Sequence, residues 1–209
     1  KLGDYVGRQE FARVAARAQE LYFRHLDATI SDFDDEFLME RCFEWFIFDF
    51  MLPDGERIID KFKESGFLDD DERNMLEGWS RAPNGLYEVK AVFPGKLFLE
   101  DIFLRDRLIV TDGSAVREIT PGFILYMRVL PVGDSNEFST SGLALPGSCR
   151  DLLVKKIFSD AFQYWEKRDP AKEWPLYLRE RSHVVNSIVM QVTADPGLEW
   201  PDPDQDYPE

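Results

Sequence analysis

The sequence predicts an α+β fold: helical segments at both ends, packed together, with a central five-stranded small β-barrel of OB-like or SH3-like type. Three observations predict it. Apolar residues recur at three- and four-residue steps before residue 83 and again after residue 146. Between about 85 and 145 they alternate instead. Turn signals there (Pro94-Gly95, Asp112-Gly113, Pro121-Gly122, Gly133-Asp134) break the stretch into five short strands at roughly ten-residue spacing. The predicted units are a helical unit over 1–83, a barrel over 84–145, C-terminal helices over 146–194 that pack on the first unit, and an acidic, proline-rich tail over 195–209.

The first helix is expected from Arg8 to about Ile30, with Phe11, Val14, Ala18, Leu21, Tyr22, His25 and Leu26 on one stripe. Ser31, with Asp34 three residues on, reads as the N-cap of a second helix to about Met51. Its far end (Cys42, Phe43, Trp45, Phe46, Ile47, Phe48) is too apolar for a surface helix and predicts burial. After Pro53-Asp54-Gly55, a short helix carries Ile58, Ile59 and Phe62. Asp69 with Glu72 then makes a capping box for a helix ending before Pro83-Asn84-Gly85.

Five strands are expected next, near residues 86–93, 96–104, 107–110, 123–130 and 137–145. Helices return with Ser148 and Asp151 as a cap signal. Asp169-Pro170 opens the last helical segment, interrupted or restarted near Pro175 and carrying Tyr177, Val184, Val185, Ile188, Val189 and Val192.

Charge narrows function. The chain has 209 residues and a net charge of −15, of which residues 1–83 contribute −9 through 11 basic and 20 acidic side chains. Such a surface repels phosphate, which disfavours nucleic-acid and anionic-membrane binding. No apolar run reaches the roughly 18 residues of a membrane span, and residues 1–10 hold no signal-peptide core. Two cysteines, Cys42 and Cys149, cannot build a disulfide framework, so a reducing cytoplasm is the expected setting. Cys42 reads as core; Cys149 sits near a predicted helix start, where a thiol pKa can fall. Neither a phosphate loop nor a nucleophile elbow occurs.

The segments FEWFIFDF (43–50), DGERIIDKF (54–62), GLYEVKAV (85–92), LFLEDIF (97–103) and PGFILYMRVLP (121–131) occur in that order. Together they resemble a group of uncharacterised bacterial proteins that often carry a SEC-C motif, a short Cys/His metal-binding tail. The resemblance implies helices around an aromatic and acidic core sequence followed by a small β unit, with no established reaction. The tail itself is absent here, so its metal site does not carry over.

Glu36, Glu40 and Glu44 share one helix face at four-residue steps, where like charges repel. Two readings follow. Glu40, Glu44, Asp49 and His25 would be the ligands of a metal-dependent hydrolase; otherwise the acids are solvated or paired with arginines, Glu44 with Arg24, Arg41 or Arg57. Acids in so apolar a stretch need partners, so Glu44, Trp45, Asp49 and Arg57 are read as a structural motif in which Arg57 is a candidate partner of Asp49. His25 and His183 lie on or beside apolar stripes and read as hydrogen-bonded core residues. On the barrel, Tyr87, Phe98, Arg107, Tyr126 and Arg128 make a candidate binding face.

No catalytic residue, metal site or cofactor is assigned. The preferred function is a non-catalytic interaction or adaptor protein of the bacterial cytoplasm with a protein partner. The alternatives are the carboxylate-centred hydrolase and nucleic-acid binding through the barrel.

Overall fold

The computed structural model describes residues 1–24, 26, 35–111, 119–139, 142–167 and 173–194. It is a mixed α+β structure with eight α-helices and a six-stranded sheet among these residues. The helices before the sheet are α1 (Leu2–Val6), α2 (Ala12–Phe23), α3 (Asp35–Phe48), α4 (Ile58–Lys63) and α5 (Asp70–Arg81). The short α1 was not expected, and the entry to α2 is a 3-10 turn over Gln9–Phe11. The capping box of α5 forms as its spelling predicts: Glu72 N–H donates to Asp69 Oδ1 at 2.9 Å and Asp69 N–H donates to Glu72 Oε2 at 3.1 Å. The expected Ser31 cap, the Asp169-Pro170 helix start and the 195–209 tail lie outside the described residues.

Six strands form where five were expected: β1 (Asn84–Phe93), β2 (Lys96–Asp101), β3 (Arg107–Thr111), β4 (Ile124–Val132), β5 (Ser135–Phe138) and β6 (Leu143–Leu145). The stretch read as one strand over 137–145 is two: β5 ends at Phe138, and β6 pairs with β4 from Leu143. The stretch over 96–104 stops at Asp101, whose carboxylate accepts from the N–H groups of Phe103 and Leu104, both at 2.8 Å, and turns the chain. Antiparallel pairings join β1 to β2 and β4, β2 to β3, and β4 to β5 and β6. A parallel contact between β3 and β5 completes a ring of five strands.

Alternation along the strands splits the apolar residues between two faces. Tyr87, Val89, Leu97, Leu99, Val110, Leu125 and Met127 pack with one another. The opposite face, with Leu86, Ile124, Tyr126, Leu143 and Leu145, packs on α6 (Arg150–Glu166), α7 (Trp174–Glu180) and α8 (Ser182–Thr193). A separate cluster unites α1 to α5 and takes in Leu130 of β4. The C-terminal helices therefore rest largely on the sheet, and they also touch α3: Arg41 Nε donates to Asn186 Oδ1 at 2.8 Å. Pro175 falls in the first turn of α7, where its missing N–H costs nothing. The Ser148 cap does not form; α6 is preceded by a 3-10 turn over Gly147–Cys149 and has no side-chain cap bond. Among the described residues no helix is long and apolar enough to cross a membrane.

Candidate functional site

Along β4, the helix-facing positions read Ile124, Tyr126, Arg128 and Leu130. Tyr126 belongs to the cluster with the C-terminal helices and Leu130 to the cluster of the N-terminal ones. Arg128 stands between, 1% exposed. A guanidinium there is stable only if its donors are used. Arg128 Nε donates to Glu44 Oε1 at 3.0 Å, Nη2 to Asp49 Oδ2 at 2.7 Å, and Nη1 to the Ala82 carbonyl. Its carbon Cζ lies 4.5 Å from the centre of the Phe48 ring. Glu44 Oε2 accepts in turn from Ser139 Oγ at 2.8 Å.

Two carboxylates share this one cation. Burial is the larger influence on Asp49 and holds its carboxyl above the ordinary range even against Arg128, while Asp49 Oδ1 has no hydrogen-bond partner among the described residues. Burial also works against the Arg128 charge, but Asp49 and Glu44 outweigh it and hold the guanidinium's proton above its ordinary value. The centre is thus a buried ion cluster in which one cation clamps two acids.

Arg57 is not the partner of Asp49. Its Nε and Nη2 bind Asp60 at 2.7 and 2.9 Å, and its Nη1 donates to the carbonyls of Phe48 and Ser80 at 3.0 and 2.9 Å. The Phe48 carbonyl ends α3, so Arg57 caps that helix C-terminus. Of the arginines expected for Glu44, Arg41 is held by Asn186 and packs over the Tyr126 ring at 4.9 Å. Arg128 was missed as a partner, although it interrupts the apolar run FILYMRVLP (123–131), which is the signal that a buried acid must meet it.

The hydrolase ligands do not assemble. Glu44 and Asp49 face a guanidinium where a metal would sit, Glu40 is exposed, and His25 lies outside the described residues. No three metal-ligating side chains converge among the described residues. Burial pushes the Cys42 thiol up to about 12 and that of Cys149 up to about 11, so proximity to a helix start does not lower Cys149. Cys149 Sγ donates instead to the Pro146 carbonyl at 2.9 Å.

The binding-face residues divide. Tyr87, Tyr126 and Arg128 are buried, so they cannot present a surface. Tyr126 is in the helix-facing core, its hydroxyl 3.2 Å from the Ser182 carbonyl. Phe98 and Arg107 remain accessible, and they line a groove of about 520 Å³ with Lys96, Ile109, Asp134 and Asn136. The groove lies where β3 and β5 part: β3 pairs with β2 from Arg107 to Thr111, but with β5 only at Thr111–Glu137. Asn136 Nδ2 reaches across and donates to the Ile109 carbonyl at 3.1 Å.

A search of curated proteins and a search of solved structures each find no match to this chain. The resemblance to SEC-C-bearing proteins gains no support from the family comparison. That comparison matches residues 2–167 to a family described as a family of unknown function, DUF7986, and since the match runs over most of the 209 residues, the chain belongs to that family.

Proposed function

We propose that the protein is a non-catalytic interaction module that takes up an extended segment of a protein partner in the groove beside β3, where it parts from β5. The observation that carries this is the single pairing of β3 with β5, Thr111 with Glu137, beside a groove of about 520 Å³. In a strand, a residue's N–H and C=O point to the same side. The Ile109 carbonyl is turned to the gap, since Asn136 reaches it there, and the Ile109 N–H is on that side too. With the carbonyl held by Asn136, the Ile109 N–H is the main-chain group left to donate to a segment lying in the groove. Ile109, 51% exposed, offers an apolar contact, and Lys96, which makes no ion pair among the described residues, offers a positive one. The occupant is therefore an extended peptide with an apolar residue beside an acidic one.

Support for a non-catalytic role comes from the polar motif itself, whose acids are consumed by Arg128. The net charge of −15 opposes a nucleic-acid ligand. The strand ring is read as a small barrel serving as scaffold, in a bacterial cytoplasmic setting.

The test is selection from a displayed library of random peptides on the wild-type protein and on Ile109→Pro. Proline there removes only the N–H facing the groove, so the fold survives, which a melting curve checks. Peptides of apolar and acidic character are expected on the wild type, bound at least about tenfold more weakly by the proline variant. Failure to enrich any peptide, or equal binding by both proteins, refutes the proposal.

A further inference from the structure

Between the end of α3, the start of α4 and helices α7 and α8 lies a second cavity, of about 390 Å³, well within the size range of small-molecule sites. Leu21, Trp45, Phe50 and Leu176 form its apolar part, two of them aromatic, beside charged and polar side chains. Trp45 fixes that part, with ring centres 5.2 Å from Phe50 and 5.4 Å from His183.

The charged groups around it are committed elsewhere, with one exception. The Asp49 side chain is 1% exposed and bonded to Arg128. Arg57 is held by Asp60 and two carbonyls. Glu180 accepts from the Tyr164 hydroxyl at 2.6 Å. Arg179 is half-buried and makes neither a hydrogen bond nor an ion pair with its side chain among the described residues. Burial first, and Arg57 next, push its proton affinity below the ordinary value. Asp49 and Asp60 act on it only at a distance and each is bonded to another arginine, so a guanidinium that has lost water and makes no direct ion pair, lining a partly aromatic pocket, is prepared for an anion.

We infer that this cavity is a binding site for a small carboxylate with an apolar or aromatic body, the carboxylate on Arg179 and the body against Trp45 and Phe50. A planar, bidentate partner suits the guanidinium fork, and the aromatic wall excludes a bare, fully hydrated ion. The site is separate from the β3 groove and does not depend on it.

The test uses the whole chain, with 3-phenylpropionate as probe, its neutral amide 3-phenylpropionamide, and inorganic phosphate. Binding is followed by amide, Arg Nε–H and Trp indole resonances in heteronuclear NMR spectra. Saturable shifts centred on Arg179 and Trp45 are expected with the carboxylate alone. Arg179→Gln should weaken binding about tenfold or more, as loss of a charge-assisted hydrogen bond requires, while Arg179→Lys retains part of it. No saturable shift to about 10 mM carboxylate, equal shifts with the amide, or equal shifts with phosphate each overturn the inference. Should Arg179→Gln fail to fold, the location of the wild-type shifts decides: shifts that do not include Arg179 and Trp45 refute the site.

Discussion

Replacing Arg128 by Met keeps an unbranched stem of similar length among Phe48 and Tyr126 but removes the cation. Asp49, whose side chain is 1% exposed, is then stranded, and Glu44 keeps only Ser139 as a partner. Removing one partner of a buried ion pair costs about 3–5 kcal/mol, and two stranded acids put Arg128→Met at the upper part of that range. That is a large share of the roughly 5–15 kcal/mol by which a native domain is stable. The escape is for Asp49 to bind a proton. From an unfolded pKa near 4, protonation costs about 4 kcal/mol at pH 7 and about 1.4 kcal/mol at pH 5. A carboxyl whose folded pKa is raised destabilises increasingly as pH climbs from the unfolded pKa toward the folded one. The deficit of the variant should therefore shrink by up to about 3 kcal/mol between pH 7 and pH 5. Urea unfolding of wild type and variant at both values measures it. A further variant, Glu44→Gln with Asp49→Asn and Arg128→Met, should recover much of the loss, because no charge is left buried. A deficit under about 1 kcal/mol at pH 7, or one indifferent to pH, would refute the clamp.

Asp49→Asn alone tests the excess acid. Since burial raises the wild-type carboxyl, the charged form is a liability that grows as pH rises above about 4, and stability measured against the asparagine variant should shift in the variant's favour from pH 4 to 7. Gly78→Ala, which would stabilise an exposed helix by about 1 kcal/mol, should instead destabilise α5, because the new Cβ would stand 2.7 Å from Pro131 Cγ on β4; a rise in melting temperature would contradict this. Cys42 and Cys149, both buried and raised, should resist a thiol reagent at pH 8 until the chain is denatured, and a rapid native reaction of either would show a more open structure.

Much of the architecture was legible because local signals and tertiary demands agree. The Asp69–Glu72 box, the burial of the far end of α3 except at exposed Phe43, and the switch from helical to alternating periods at Gly85 all needed only neighbours in sequence. What failed depended on distant partners. Nothing local tells Asp49 to choose Arg128, 79 positions away, over Arg57, eight away, and the nearer arginine was instead taken by Asp60 and the free carbonyl of a helix end. The candidate binding face erred for a related reason. Alternation identifies two faces of a strand, but here helices cover the face of Tyr126 and Arg128, and Tyr87 packs on the other. Of the five, Phe98 and Arg107 stayed accessible.

The Arg128 side chain ties together residues 44, 49 and 82, and Glu44 in turn holds Ser139. Neither portion of the chain can then serve as a transferable cassette. A cut near residue 83 would leave unneutralised acids in one fragment and an orphaned cation in the other. Recombination or domain grafting at that junction should give insoluble halves that regain order only when expressed together.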